Sequence, residues 1–436
     1  MLLQISKLQK LVKKEHYSNR FLLLFIFSLI GFIVFEQSCM SDDSLYRQGT
    51  RLYNQKKFSE AFEVFQKAAK AGSILALNQI GWMYQQGEGV NKDFQLAMRY
   101  FKMAAEKGCS AAITNIGWMY DKGYGVKEDN LEAIHWYKKG IDAGNVIAIY
   151  DLAWMYENGE GVNINYQKAI ELYQKAARAG NAEAMNNLAW MYETGEGVNV
   201  DYQIAMEFYQ KAAHRGVSNA IFNIGCMYEK GEGVDTDYLK AMEWYQKAYE
   251  IGNARAMNNI AWLYQKGLGV NKNNNKAIEW YIKGANAGYY ISAYNLGYMY
   301  ENGEGVDTDY LKAMEWYQKA AETNYAKAIN NIARMYELGE GVNVDYPKAM
   351  QLFYKAATLG DHAGMNNLGW MYQHGEGVKI NYHTAMLWYQ KAANIGSASA
   401  MSNIASMYEK GEGVKKDKKK AFEWYQKADE AKNLNK

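Results

Sequence analysis

The stretch WMYENGEGVNINYQKAIELYQKAARAGNAEAMNNLAWMYETGEGV, from Trp154 to Val198, returns to almost the same residues within one helix pair. The segment repeats every 36 residues. A fixed period of about 20 to 50 residues is typical of stacked arrays, in which each unit buries its apolar face only against its neighbours. The sequence therefore predicts one elongated repeat domain rather than several globular domains. The valine that closes each segment recurs every 36 residues without insertion, at Val90, Val126, Val162, Val198, Val234, Val270, Val306, Val342, Val378 and Val414.

The composition indicates a folded, helical chain without a nucleic-acid partner. Apolar residues make up 49% of the chain, so enough apolar surface exists to offset the chain entropy on folding. The chain has a single proline, which is compatible with a high helix content. The formal net charge is +2, and the part after residue 39 holds 44 basic and 45 acidic residues. Binding of nucleic acid requires a concentrated basic face, which this charge balance does not provide.

Residues 1–39 differ from the rest of the chain. A basic head ending at Arg20 precedes an apolar run over residues 21–35, which as a helix would be roughly 22 Å long. This length is short of the bilayer core and close to a signal-peptide apolar region, so we expect export to the cell envelope or the medium. Cys39 resembles the acylated cysteine of bacterial lipoproteins, although Glu36 stands where such signals carry an apolar residue. Lipidation at Cys39, ordinary cleavage and an uncleaved anchor through residues 21–39 remain open.

Each repeat unit is numbered from the residue after its boundary, so that the unit of Trp190 has position 1 at Asn181 and position 36 at Gly216. Glycine and asparagine both tolerate the left-handed backbone that ends many helices, so the boundary residues are predicted to be helix C-caps. The ten boundaries are Gly72, Gly108, Gly144, Gly180, Gly216, Gly252, Gly288, Asn324, Gly360 and Gly396.

The pattern within a unit predicts two antiparallel helices. The first carries Ile or Leu at position 8, Gly or Ala at position 9 and Tyr at position 12, which share one helical face. The second begins after Asp or Asn at position 21, residues that cap helix N-termini, and carries Ala at position 25 with an aromatic at position 28 or 29. We expect the tryptophans of position 28 to lie in the core, namely Trp136, Trp244, Trp280, Trp316, Trp388 and Trp424.

These Ala, Leu-Gly-x-x-Tyr, Gly-x-Gly-Val, Asp and Ala-x-x-Trp-Tyr-x-x-Ala elements resemble the Sel-1-like repeat family, a relative of the tetratricopeptide repeat. The resemblance covers residues 73–432 as ten units. Residues 40–72 lack the Gly-x-Gly-Val insert and resemble a tetratricopeptide hairpin that caps the array, and residues 433–436 form a tail. The resemblance implies an all-α, right-handed superhelical solenoid of antiparallel helix pairs that binds protein partners.

No motif in the sequence favours an enzyme, a metal site or a cofactor. The Gly-x-Gly-Val segments lack the Lys-Ser/Thr or the third glycine of a phosphate loop, so they are predicted to be turns, with the middle residue solvated. The Asp-Thr-Asp segments at Asp235 and Asp307 lack the remaining ligands of a calcium loop. The histidines form no ligand cluster, and no Ser-x-x-Lys or Lys-Thr-Gly occurs, which argues against a hydrolase.

Positions 3, 6, 10 and 13 of the first helix are predicted to lie opposite positions 8, 9 and 12 and to line a concave groove. Position 10 is mostly tryptophan, position 6 often asparagine, and position 13 always Glu, Gln or Asp. Such a surface suits an extended peptide, because indoles supply contact area, amides bind the backbone, and carboxylates beside indoles suit Lys or Arg side chains. The predicted binding residues are Asn78, Trp82, Trp118, Trp154, Asn186, Trp190, Asn258, Trp262, Tyr298, Asn330, Arg334, Asn366 and Trp370.

The sequence thus predicts an exported, non-catalytic scaffold that binds a protein or an extended peptide. Its contact with a membrane would be limited to the N-terminal segment. An envelope-structural or glycan-binding solenoid is the alternative, because tryptophan ladders also stack on sugars. A further alternative is that the position 10 tryptophans only pack between helices.

Overall fold

The structure, a computed structural model, describes residues 44–434 and contains 22 helices and no strand in that range. The described residues divide into two compact units, residues 44–200 and 201–434. The first contains α1 (Ser44–Asn54), α2 (Phe58–Lys70), α3 (Ile74–Gln86), α4 (Phe94–Glu106), α5 (Ser110–Lys122), α6 (Asn130–Asp142), α7 (Val146–Asn158), α8 (Tyr166–Arg178) and α9 (Ala182–Thr194). The second contains α10 (Tyr202–Ala213), α11 (Ser218–Lys230), α12 (Tyr238–Glu250), α13 (Ala254–Lys266), α14 (Asn274–Asn286), α15 (Tyr290–Asn302), α16 (Tyr310–Ala321), α17 (Ala326–Leu338), α18 (Tyr346–Thr358), α19 (His362–His374), α20 (Tyr382–Asn394), α21 (Ala398–Lys410) and α22 (Lys418–Leu434). The predicted all-α fold of repeating helix pairs is confirmed.

The helices begin and end at the residues that the sequence predicts. At the start of α4, the Asp93 carboxylate accepts a hydrogen bond of 2.9 Å from the backbone nitrogen of Leu96. At the end of α3, Gly87 adopts a φ of 78°, in the left-handed region. The one boundary that is not glycine, Asn324, has a φ of 60° and confirms that the boundary residue is selected for its backbone.

The core of each unit is built from both helices of every repeat. Positions 8 and 9 of the first helix are buried as predicted, and Ala at position 25 of the second is also buried. Two layers that the sequence analysis did not assign are the most enclosed. Methionine or leucine at position 11, such as Met155, is 0% exposed, and tyrosine or phenylalanine at position 29, such as Tyr173, is at most 1% exposed except at Tyr425 in the last repeat.

The prediction that tryptophans of position 28 lie in the core is wrong. Each is only partly buried and packs at the edge of the core, as Trp280 does. The lysine three residues later covers its outer face, and the Nζ atom of Lys283 lies 3.9 Å from the Trp280 ring centroid. The fully buried aromatic is the neighbouring Tyr281, so the core side chain sits one position later than expected.

The Gly-x-Gly segments are turns that join one repeat to the repeat before it. The first glycine ends a helix, whereas the second lies so close to the previous repeat that an added Cβ at Gly89 would be 2.5 Å from the carbonyl carbon of Phe58. The middle residue is not solvated as predicted. Glu304 lies partly buried and accepts a hydrogen bond of 2.8 Å from Gln265 in the preceding repeat.

The predicted signal or anchor segment, including Cys39, lies outside the described residues. Within residues 44–434, none of the helices combines the length and the apolar character that crossing a bilayer requires. Cys109, in the first unit, is buried, and Cys226, in the second, is partly buried.

Candidate functional site

The side chains of position 10 lie at the surface of both units. Trp190, Tyr298 and Trp370 are each more than 40% exposed, Trp82 is 37% exposed, and Arg334 is also exposed. Trp118, Trp154 and Trp262 are partly buried, and Cys226 and Trp262 pack against a core cluster of the second unit. Position 10 therefore lies at the surface in most repeats and at the edge of the core at Cys226 and Trp262, and its contact with a partner stays a prediction.

The predicted placement of position 6 on the same face as position 10 is wrong. Asn186, Asn258 and Asn330 are less than a tenth exposed, and Asn78 and Asn366 are partly buried. Four of these amides, all except that of Asn186, connect repeats, because the asparagine at position 7 of the next repeat donates a side-chain hydrogen bond to the position 6 oxygen. The bonds are Asn115 to Asn78 at 3.0 Å, Asn295 to Asn258 at 3.0 Å, Asn367 to Asn330 at 3.0 Å and Asn403 to Asn366 at 2.9 Å.

Position 13 is also directed inward rather than into a groove. Its side chain meets the buried tyrosine of position 29, as in the hydrogen bond of 2.9 Å from the Tyr281 hydroxyl to Gln265. The other end of Gln265 donates to Glu304 at position 16 of the next repeat. We call this contact of positions 29, 13 and 16 the bridge. Burial raises the pKa of Tyr281, which keeps its hydroxyl a hydrogen-bond donor.

A pocket opens beside the position 10 residues Trp118 and Trp154, in repeats where the residues of the bridge differ from those of the other repeats. It has a volume of about 170 Å³ and lies in the first unit. The two indoles at consecutive position 10 sites both line it, together with carboxylates from α5 and α7. Its lining residues are Trp118, Asp121, Lys122, Tyr137, Tyr150, Asp151 and Trp154.

Two carboxylates in the pocket have few partners. The Asp121 side chain is 6% exposed, and its Oδ2 atom lies 3.0 Å from the Lys122 ammonium. The Oδ1 atom of Asp121 is buried without a hydrogen-bond partner among the described residues. Asp151 forms no side-chain hydrogen bond or ion pair in that part of the chain. Burial, followed by the charge of Asp121, raises the pKa of Asp151 to about 7 against the opposing effect of Lys122.

Lys122 shows how the pocket holds a cation. Its Nζ atom lies 4.9 Å from the centroid of the Trp154 ring, 3.0 Å from Asp121 and 4.0 Å from Glu160. Indole and carboxylate thus act on the same ammonium group, which is the combination that favours cations in partly desolvated sites. Within residues 44–434, no cluster of three or more His, Cys, Asp or Glu side chains is arranged to hold a metal ion.

The sequence signal for this pocket is a departure from the repeat. Asp151 occupies position 7, where the other repeats carry asparagine or, at Gln79, glutamine. Asp121 occupies position 13, where the others carry Glu or Gln, and its shorter side chain contacts Tyr137 less closely than Glu157 contacts Tyr173. Neither residue was predicted, because both differ from the residues that recur at their positions.

The Sel1 repeat family model matches most of the chain. The matched segments are residues 44–73, 74–109, 110–145, 146–181, 182–217, 218–253, 254–289, 291–325, 326–361, 362–397 and 398–431. The first of them contains α1 and α2, for which the sequence predicts a tetratricopeptide-like cap. In the structure, residues 55–57 join these two helices, whereas residues 87–93 join α3 to α4.

Two solved structures resemble the chain over long stretches. A protective antigen present in uropathogenic Escherichia coli strains, which displays an SLR fold, is 32% identical, with 92% of this chain and 88% of that chain covered at a TM-score of 0.56. A Sel1 repeat protein from Oxalobacter formigenes is 31% identical, with 57% of this chain and 99% of that chain covered at a TM-score of 0.52. No protein of curated function matches the chain.

Proposed function

Because this chain belongs to the Sel1 repeat family, whose solenoids generally serve as scaffolds for protein interactions, we propose that it is an exported, non-catalytic adaptor. In this proposal a protein or an extended peptide binds along the position 10 residues. The observation that supports it is the row of indoles in the first unit, Trp82, Trp118, Trp154 and Trp190, which we call the indole stripe. Trp118 and Trp154 line one pocket, so indoles of consecutive repeats are neighbours.

The energetics of aromatic side chains favour a binding role for the indole stripe. An indole that lies outside the core contributes little to folding, whereas the same group buried by a partner is among the strongest contributors to binding. The stripe also lies beside carboxylates rather than in an apolar patch. This combination fits a polar peptide with basic side chains better than a lipid surface.

The test is a comparison of folding and binding in one triple variant, Trp118→Ala, Trp154→Ala and Trp190→Ala. Circular dichroism should show unchanged helicity and a small shift in the unfolding midpoint, because all three indoles lie outside the core. Affinity for partners captured from envelope fractions should fall by about tenfold or more, the usual loss on truncation of aromatic anchors. As a control, Trp136→Ala should lower stability and leave binding unchanged, because the Trp136 ring packs against a core cluster, which the rings of Trp118 and Trp154 do not.

Two outcomes would contradict the proposal. Unfolding of the triple variant would show that the indole stripe is packing, and unchanged capture would show that the partner binds elsewhere. Treatment of the fractions distinguishes the partner class. Binding that survives glycosidases but not proteases supports a protein partner, whereas the reverse pattern supports the glycan-binding alternative.

Export is the part of the proposal that depends on residues 1–39. The basic head, the apolar run and Cys39 suit a signal that is cleaved, acylated or retained. Cell fractionation and the mass of the mature chain test this directly, and Cys39→Ser separates lipidation from the other two forms. Recovery of the full-length chain in the cytoplasm would contradict export.

A further inference from the structure

The pocket between Trp118 and Trp154 is chemically unlike the same place in the other repeats. Where Asn259 supplies a neutral amide that donates to Tyr245, the third repeat supplies Asp151, a carboxylate with no hydrogen bond among the described residues. The second repeat adds Asp121, whose Oδ1 atom is buried and unpartnered. Asp151 and the Oδ1 atom of Asp121 therefore have no hydrogen-bond donor among the described residues, and both side chains line the same pocket.

The charges around the pocket leave an excess of acid. Asp121, Asp151 and Glu160 supply three carboxylates, whereas Lys122 is the one cation that reaches them in the described residues. A buried carboxylate without a donor is costly, and a donor that arrives with a partner removes this cost when it binds. Charge complementarity therefore selects a cationic guest.

The walls of the pocket narrow the kind of cation. Trp118 and Trp154 line the pocket with aromatic surface. The Lys122 ammonium already lies over the Trp154 ring and beside the Asp121 carboxylate. A guanidinium is planar, stacks on indole and carries five donors, so it can serve two carboxylates and an aromatic face together. A lysine ammonium is a compact point charge without a planar face, so it matches two carboxylates beside an indole less well.

We propose that this pocket is a subsite for an arginine side chain of the bound partner, with the guanidinium donating to the Asp121 and Asp151 carboxylates while it stacks on Trp118. This assignment rests on the proposed binding of a peptide along the indole stripe and names the chemistry of one of its residues. Lys122 keeps its contact with the Oδ2 atom of Asp121, so the guest does not displace it.

The experiment uses the full chain labelled with 5-fluorotryptophan and followed by fluorine NMR at about pH 8, where Asp151 is ionised. The probes are the capped peptide Gly-Ser-Arg-Ser-Gly, its citrulline counterpart and its lysine counterpart. The arginine peptide should shift the Trp118 and Trp154 resonances saturably. Citrulline, which keeps the shape of arginine but not its charge, should bind at least about tenfold more weakly, and lysine should be intermediate. Trp262, at position 10 of a repeat without the paired acids, is the internal control and should not shift.

Matched variants test the two carboxylates without disrupting the fold. Asp151→Asn and Asp121→Glu each introduce the residue that other repeats carry at the same position. Each should weaken the arginine peptide by about tenfold and leave the weak binding of the citrulline peptide unchanged. Equal affinity for arginine and citrulline, equal affinity for arginine and lysine, or insensitivity to Asp151→Asn would overturn the assignment.

The result separates this inference from the proposed function. If the triple tryptophan variant loses its partner but the arginine peptide does not bind, the subsite is wrong and the adaptor function stands. If the arginine peptide binds but partner capture does not depend on the indoles, the proposed function fails, and with it the assignment of the guest to the partner.

Discussion

Gln85 and Gln265 occupy position 13 of two repeats and are both buried, but only one of them has hydrogen-bond partners. Gln265 accepts from the Tyr281 hydroxyl at 2.9 Å and donates to Glu304 at 2.8 Å. Neither polar atom of the Gln85 amide has a partner in the described part of the chain.

The difference comes from the residues on either side. The first repeat carries Phe101 instead of tyrosine at position 29, and the next turn carries Tyr124 instead of glutamate at position 16. The same residue at the same repeat position therefore contributes differently to stability, because the bridge forms only when positions 29, 13 and 16 all carry suitable polar side chains.

The largest expected effect is at the complete bridge. Gln265→Leu should destabilise the chain by about 2–4 kcal/mol, because the Tyr281 hydroxyl and the Glu304 carboxylate would both lose a buried partner. Urea unfolding followed by circular dichroism measures the loss. A change below about 1 kcal/mol would show that the bridge is not a stabilising contact.

The bridge of Glu337 should show the next largest effect, and it depends on pH. Phe353 offers no hydroxyl here, and burial, then the charge of Glu376, raises the pKa of Glu337 to about 7. A raised carboxyl pKa means that the folded chain keeps a proton that the unfolded chain releases. The stability that Glu337 gains by keeping this proton in the folded chain is therefore full below about pH 4.5 and is lost as the pH rises through about 7.

Glu337→Gln should therefore stabilise the chain by about 2 kcal/mol near pH 8 and by almost nothing near pH 4. Urea midpoints over this range measure the difference. Phe353→Tyr, which restores the missing hydroxyl, should give a smaller gain in the same direction. A gain that is equal at both ends of the range would contradict the assignment of the pKa to Glu337.

Gln85→Leu is the counterpart of Gln265→Leu and should have the opposite sign. The substitution removes two unpartnered polar atoms from a site that is 2% exposed, so we expect a gain of about 1 kcal/mol. The same urea experiment checks it. Destabilisation comparable with that of Gln265→Leu would mean that the amide has a partner of equal value and would remove the contrast.

Asp121→Glu should have the smallest effect on stability. The longer side chain should reach the Tyr137 hydroxyl as Glu157 reaches Tyr173, and one hydrogen bond of this kind should add about 0.5 kcal/mol. Thermal unfolding measures the gain, and fluorine NMR of the pocket indoles reports the altered geometry. Loss of stability would show that the pocket, rather than the bridge, is the preferred state of this repeat.

The sequence predicted the features that depend on local backbone chemistry. Helix ends followed from the cap at Asp93 and the left-handed residue at Asn324, because each requirement is met within a few residues. The buried faces at positions 8 and 9 followed from helical periodicity. The position 10 indoles were placed outside the core for the same reason.

The features that the sequence did not predict depend on contacts between repeats. Position 6 was expected on the open face, but Asn330 is buried against Asn367 of the next repeat. A helix that packs on its own partner and on two neighbouring repeats buries more than one face, so a single amphipathic stripe underestimates its core. Trp280 and Tyr281 show the same limit, since adjacent aromatics in one helix gave no signal of which one points inward.

The turn glycines give the chain a direction. Gly89 packs against the start of α2 at Phe58, and Gly125 packs in the same way against the start of α4 at Phe94. Each turn thus packs against a helix that precedes it in the sequence. The N-terminal end of a chain emerges first, both from a ribosome and from an export channel, so this surface is present before the turn emerges. Each new repeat can therefore pack on a neighbour that has already formed, and folding can proceed repeat by repeat from the N-terminal side.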